Sequence, residues 1–147
     1  MFVRPEYQEI KKRLEEPRLF LQVISGPRQV GKSTLIEQVL SNISLPYNSY
    51  SADAELNVNQ AWSERDYRKE QEHILVIDEI QKISNWSETV KKEWDRDSRE
   101  RRNLKVLLLG SSRLLLQKGL TESLAGRFEL IRMGHWTFTE MKEAFGW

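Results

Sequence analysis

The chain has 147 residues, which is enough for one compact domain with its own hydrophobic core. Its formal net charge is +1 with 31% charged residues, so no global charge attracts it to nucleic acid or to a membrane surface. The absence of cysteine excludes disulfides and thiolate metal sites, and no apolar run approaches the roughly 20 residues that span a bilayer. We therefore expect a soluble, cytoplasmic protein.

The first half of the chain predicts helices alternating with buried strands. Tyr7, Ile10 and Leu14 recur at helical spacing, so a helix is expected over 5–15, ending before Pro17. An apolar strand over 19–25, a helix over 33–40 and a strongly apolar strand over 73–77 follow. The strand signal over 47–51 is weak, and the polar stretch 55–71 fits no element.

The second half continues the alternation. Asn85 followed by Glu88 predicts a capping box that opens a helix, on which Trp86, Val90 and Trp94 share one face. Strands are expected over 104–109 and 128–131, and a helix from Thr137 onward. Apolar strands that alternate with helices are typical of a parallel sheet covered on both faces, which makes the fold class α/β.

The decisive motif lies between the first strand and the helix that follows it. It fits the phosphate-loop pattern G-x-x-x-x-G-K-[ST] at every fixed position, in the required strand–loop–helix context. Backbone N–H groups of such a loop, with the helix N-terminus, bind a polyphosphate. We predict that Lys32 contacts the β- and γ-phosphates of ATP and that Ser33 ligates Mg²⁺. The predicted nucleotide-binding residues are Gly26, Pro27, Arg28, Gln29, Val30, Gly31, Lys32, Ser33 and Thr34.

Two adjacent carboxylates end the strand that begins at His73. Asp78 is predicted to hold Mg²⁺ together with Ser33, because ligands bind at the carboxyl ends of strands in open α/β sheets. Glu79 is placed to act as the general base for an attacking water. The alternative is that the pair caps the following helix.

Two further positions could act on the γ-phosphate. Ser111 follows the strand over 104–109 and is predicted to sense the γ-phosphate or orient the water, with a serine N-cap as the alternative. Arg127, just before the last strand, is predicted to neutralise charge in the transition state, commonly from a neighbouring subunit; Arg113 is the second candidate for that role.

Several motifs follow one another along the chain: Gly26–Ser33, Asp78–Gln81 followed by Trp86, Leu109–Ser112, Ser123–Arg127 and Trp136–Glu140. Together they resemble the prokaryotic AAA-superfamily ATPase domain that is usually followed by a C-terminal domain of unknown function. The resemblance implies a three-layer P-loop sandwich with a five-stranded parallel sheet in the order 5-1-4-3-2. It also implies a catalytic Glu79, a sensor at the end of the fourth strand and an arginine finger at Arg127. The chain would then be a single ATP-binding domain, 1–147, without the further domains of its relatives.

We expect Mg²⁺-dependent ATP hydrolysis that couples the nucleotide state to a partner or an attached domain. A nucleotide-gated binding module with little hydrolysis is the alternative. A GTPase is disfavoured because no Asn-Lys-x-Asp motif occurs. A homo-oligomer that supplies the arginine in trans is one expected assembly, whereas a nucleic-acid partner has no support in the sequence.

Overall fold

The computed structural model describes residues 5–26, 32–52, 61–62, 72–111 and 124–133. The predicted helix from Thr137 and the Trp136–Glu140 motif lie outside these ranges. A 3₁₀ turn, Ile80–Lys82, follows the third strand. The helices and strands are α1 (Pro5–Glu15), β1 (Leu21–Ser25), α2 (Lys32–Ser41), β2 (Tyr47–Ser51), β3 (His73–Asp78), α3 (Trp86–Arg99), β4 (Leu104–Gly110) and β5 (Phe128–Arg132).

The five strands form one parallel sheet in the order β2-β3-β4-β1-β5. This confirms the predicted order, 5-1-4-3-2, counted from the other edge. The central strands β1, β3 and β4 are buried almost throughout, which explains their continuous apolar signal. β2 is an edge strand whose residues alternate between exposed and half-buried, so its sequence is polar and its signal weak.

Helices cover both faces of the sheet. On one face, Ile10 of α1 and Val39 of α2 are fully buried in a cluster that includes Val76 of β3. On the other face, Val90 of α3 packs in a cluster that includes Leu75, the neighbour of Val76. Alternate residues of one strand therefore serve opposite layers, which confirms the predicted α/β sandwich. None of the helices in the described ranges is long and apolar enough to cross a membrane.

The predicted capping box is wrong in its chemistry although the helix begins where expected. α3 starts at Trp86, but Asn85 has φ 56° and ψ 31° and makes no side-chain cap hydrogen bond. A side-chain cap needs the extended backbone of an ordinary N-cap residue, and this left-handed conformation does not provide it. Asn85 lies in the short connection between the 3₁₀ turn and α3, and its left-handed conformation belongs to that connection.

Candidate functional site

The start of the phosphate loop lies directly beside the end of β4. The N–H of Gly26, the first loop residue, donates a hydrogen bond to the carbonyl of Gly110 at 3.2 Å. Ser111 comes next in the chain and is half-buried. The structure therefore brings the predicted sensor to the beginning of the loop, because β1 and β4 are parallel neighbours that end at the same level.

The loop itself is described only at its two ends. Lys32 and Ser33 form the start of α2, and Thr34 follows as an exposed residue of the same first turn. The first turn of any helix has backbone N–H groups without partners inside the helix, and this turn follows the loop directly. The predictions for Pro27, Arg28, Gln29, Val30 and Gly31, and for the side chains of Lys32 and Ser33, lie outside what the structure describes.

Asp78 ends β3 at the same edge of the sheet. Ile77 pairs with Leu108 and Ile24 pairs with Leu109, so Asp78 lies level with Ile24, two strands away. Two strand spacings place the backbones of Asp78 and Ile24 about 10 Å apart. Strand alternation directs Asp78 to the face that Val76 shares with α2. Gly26, where the phosphate loop starts, and Asp78 thus lie at the same edge of the sheet.

Asp78 lines a cleft of about 560 Å³ between α2 and β2. Ser51 of β2 lines it as well and pairs in register with Asp78, so the edge strand provides one wall. Its lining contains both polar and apolar side chains. The other residues of the lining are Ile36, Glu37, Leu40, Ser41, Tyr47, Ser49, Tyr50, Val76 and Leu109.

The Asp78 carboxylate fits a magnesium site that is completed by phosphate. Its Oδ1 accepts a hydrogen bond from the Glu79 N–H at 2.9 Å, which orients the half-buried group. Carboxylate and hydroxyl oxygens are ligands that Mg²⁺ accepts, and the ion usually keeps water and substrate phosphate among its ligands. Within the described ranges, His, Asp and Glu form no group of three or more that could hold a metal. Of the predicted ligands, Asp78 and Ser33 would hold Mg²⁺ together with the bound phosphates.

Glu79 occupies an unusual backbone conformation. Its φ of 57° and ψ of 39° lie in the left-handed region, which side-chain-bearing residues seldom adopt. The side chain is half-buried, and its Oε2 accepts a hydrogen bond from Gln81 Nε2 at 2.7 Å. Uncommon backbone of this kind is often found at functional sites. The carboxylate is therefore held in one place beside Asp78.

Arg127 lies at the amino ends of the strands, opposite the carboxyl ends where the phosphate loop starts. Its carbonyl accepts a hydrogen bond from the N–H of Leu21, the first residue of β1, whereas Gly26 follows the last. Gly26 is five residue steps along the strand from Leu21, or about 17 Å. The guanidinium also turns to Asp95, at 2.8 Å and 3.1 Å. The structure therefore does not bring Arg127 to the phosphate loop of its own chain. The second candidate, Arg113, lies outside the described residues.

Two contributors to the site were missed by reasoning from residue types. The contact of Gln81 with Glu79 depends on a 3₁₀ turn that no local pattern indicated. Ser51 reaches the cleft only because β2 pairs with β3, and the weak strand signal was the one indication of that pairing. The position of Arg127 could have been found, because a residue just before a strand of a parallel sheet lies at the amino edge.

A family model described as an AAA domain matches residues 20–142, well over half of the chain. The matched range contains all five strands, the phosphate loop and the Asp78–Glu79 pair. A comparison with curated proteins found no match. The chain therefore belongs to the AAA superfamily of P-loop domains, and nucleotide binding is the activity that this membership implies.

Proposed function

We propose that this domain binds ATP with Mg²⁺ and hydrolyses it, and that the nucleotide state is coupled to a partner or an attached domain. One observation carries the proposal: the start of the phosphate loop, the Asp78–Glu79 pair and Ser111 meet at one edge of the sheet. Ligands of open α/β sheets bind at this edge. Family membership supports nucleotide binding, whereas hydrolysis and Mg²⁺ binding are inferred from the residues.

The binding roles follow from the chemistry of each group. Backbone N–H groups between Arg28 and Thr34 would surround the phosphates, since the N–H of Gly26 donates to Gly110 and Pro27 has none. Lys32 would contact the β- and γ-phosphates. Ser33 and Asp78 would hold Mg²⁺, which when bound neutralises charge on the phosphate oxygens. The hydrogen bond from the Glu79 N–H keeps the Asp78 carboxylate oriented for that purpose.

The hydrolytic roles belong to Glu79 and Ser111. Glu79 would accept a proton from water as the water oxygen bonds to the γ-phosphorus. The bond from that phosphorus to the bridging oxygen breaks, and ADP leaves with inorganic phosphate as the second product. The Ser111 hydroxyl would orient the water or sense the γ-phosphate, since the residue follows Gly110 beside the loop.

A second candidate function is a nucleotide-gated binding module with little hydrolysis of its own. The position of Arg127 favours it, because that guanidinium is bound to Asp95 at the edge opposite the loop. An arginine near the γ-phosphate accelerates such reactions strongly. If a neighbouring copy supplies the arginine, hydrolysis requires assembly, and the isolated chain binds nucleotide without turning it over quickly.

One series of measurements tests the proposal. ATP binding is measured by calorimetry with and without Mg²⁺, on the wild type, on Lys32→Ala and on Lys92→Ala, an exposed lysine of α3. We expect Mg²⁺-dependent binding that only Lys32→Ala weakens. Phosphate release is then followed at rising protein concentration, with and without double-stranded DNA. Folded protein that binds no adenine nucleotide at millimolar Mg²⁺ would refute the proposal.

A rate per chain that rises with protein concentration identifies an assembling ATPase. Binding with a low rate at every concentration favours the gated module instead. Stimulation by DNA at fixed protein concentration would identify nucleic acid as a partner, for which the sequence gives no support.

A further inference from the structure

Gln81 is a buried residue that contacts the candidate general base. It lies in the 3₁₀ turn after β3 and is only 2% exposed. Its amide Nε2 donates a hydrogen bond to Glu79 Oε2 at 2.7 Å. A carboxylate that receives such a bond loses rotational freedom, because a charged acceptor forms one of the stronger hydrogen bonds in proteins.

The backbone around Glu79 is held from both sides. Its N–H donates to Asp78 Oδ1 at 2.9 Å, and its carbonyl accepts from the N–H of Lys82 at 3.0 Å. With the main chain of Glu79 fixed in the left-handed conformation, the remaining freedom of the residue lies in its side chain. The amide of Gln81 removes much of that freedom.

Packing alone does not explain a glutamine at this position. The carbonyl oxygen Oε1 of Gln81 is buried and has no hydrogen-bond partner within the described part of the chain. A buried acceptor without a partner destabilises a fold, and an apolar side chain of similar size would avoid that penalty. Within the described residues, the side-chain amide of Gln81 donates one hydrogen bond, to Glu79 Oε2.

We propose that Gln81 is a positioning residue for Glu79: its amide holds Oε2 and leaves Oε1 of the carboxylate to accept the proton from water. This inference rests on the proposed ATP hydrolysis. It assigns Gln81 no contact with nucleotide. Loss of the amide should therefore lower kcat and leave nucleotide affinity unchanged.

The chain contains a matched control. Gln22 in β1 is 5% exposed and also has a buried Oε1 without a partner in the described residues. Its amide donates to Glu129 Oε1 at 2.9 Å and to the carbonyl of Phe20 at 3.3 Å. Gln22 lies near the amino end of β1, the end at which Arg127 lies, whereas Gln81 lies at the carboxyl ends of the strands. Gln22→Met and Gln81→Met thus each remove a hydrogen bond from a buried amide to a carboxylate, and Gln22→Met removes the one to Phe20 as well. Only Gln81 contacts the candidate base.

The experiment measures phosphate release at saturating MgATP and the affinity for a non-hydrolysable ATP analogue. We expect Gln81→Met to lower kcat by about ten-fold or more, since a correctly placed general base contributes about 10²–10⁴-fold. The analogue should bind within about two-fold of the wild type, and Gln22→Met should keep kcat within about two-fold. Urea unfolding confirms that both variants are folded. If Gln81→Met does not fold, Gln81→Asn retains an amide that is too short to reach Glu79 and should show the same loss.

Two failures are distinguishable. If Glu79→Gln abolishes turnover while Gln81→Met leaves kcat unchanged, the inference is wrong and the proposed function stands. It is equally wrong if Gln22→Met and Gln81→Met lower kcat alike, or if Gln81→Met weakens analogue binding as much as kcat. A wild type without turnover, at any protein concentration, overturns the proposed hydrolysis and this inference with it.

Discussion

Arg127, just before β5, and Asp95 of helix α3 form a bidentate ion pair. Nε of Arg127 lies 2.8 Å from Asp95 Oδ1, and Nη2 lies 3.1 Å from Oδ2. Both side chains are about one third exposed. The hydrogen bond from Arg127 lowers the pKa of the Asp95 carboxyl. Within one chain, Arg127 thus joins two elements of the fold, away from the phosphate loop.

Replacing Arg127 with methionine tests this structural role. Exposed ion pairs contribute little, so we expect the melting temperature at pH 7 to fall by at most about 2–4 °C. The folded-state pKa of Asp95 lies below the ordinary value of about 3.9, so the stabilisation exists above that value and is lost as pH falls through the folded pKa. The difference between variant and wild type should therefore disappear in strong acid. Thermal melts across that range check it.

Lys12→Met, which removes an exposed cation from α1, is the control and should not show the same dependence on pH. A difference that stays constant down to strong acid would contradict the pairing with Asp95. If Arg127→Met instead lowers turnover only at concentrations where chains assemble, the arginine also acts on a neighbouring copy.

Sequence patterns identified the elements that burial dictates. β1, β3 and β4 are buried on both faces, so nearly every residue carries the apolar signal. Motif spacing also located Asp78 and Glu79, because residues at the carboxyl end of a parallel strand reach the common edge.

Features that depend on tertiary contacts could not be predicted from local sequence patterns. The left-handed backbone at Asn85 results from a turn that connects two packed elements, so the capping prediction failed. The side chain of Gln81 reaches Glu79 because the chain forms a 3₁₀ turn here, with the intervening Ile80 buried in the core cluster. The partner of Arg127, Asp95, lies 32 residues away and on another element.

Two buried tryptophans allow one hydrogen bond to be measured. Trp62 and Trp86 are both fully buried in the same cluster, but Trp62 Nε1 donates to Asp97 Oδ2 at 2.6 Å, whereas Trp86 Nε1 has no partner within the described ranges. We expect Trp62→Phe to lower the free energy of unfolding by about 1–3 kcal/mol more than Trp86→Phe, because it leaves a buried carboxylate oxygen unpaired. Urea unfolding of both variants gives the difference. Equal losses would show that the indole–carboxylate bond contributes nothing beyond packing.

Asp97 should make the stability of the domain depend on pH. Burial raises the pKa of this carboxyl, against the opposing effects of the Trp62 hydrogen bond and of Arg102. The folded pKa lies above the unfolded one, so the contribution is fully present below the unfolded pKa and is lost as pH rises through the folded pKa. The free energy of unfolding of Asp97→Asn should match that of the wild type in acid, and it should exceed that of the wild type increasingly as pH rises above about 4. Burial and the charge of Asp97 also raise the pKa of the neighbouring Glu93. Asp97→Asn therefore lowers the Glu93 pKa as well, and the gain of the variant as pH rises includes both effects.

The measurement is urea unfolding of wild type and Asp97→Asn at a series of pH values. The asparagine keeps an oxygen that can accept the Trp62 hydrogen bond, so the variant isolates the charge. A variant that becomes relatively less stable as pH rises would show that Arg102, 3.6 Å from Oδ1, outweighs the burial penalty.

The most direct prediction for the candidate site concerns Glu79→Gln. The glutamine can still accept the hydrogen bond from Gln81 through its own carbonyl oxygen, so the local geometry is retained while the base is lost. We expect kcat for ATP to fall by about 10²–10⁴-fold with nucleotide affinity nearly unchanged. Phosphate release and calorimetry on the same samples separate the two effects, and Glu100→Gln, an exposed glutamate after α3, is the control. Turnover that survives in Glu79→Gln would assign the proton to another group, because no part of the proposed step at Glu79 can proceed through an uncharged amide.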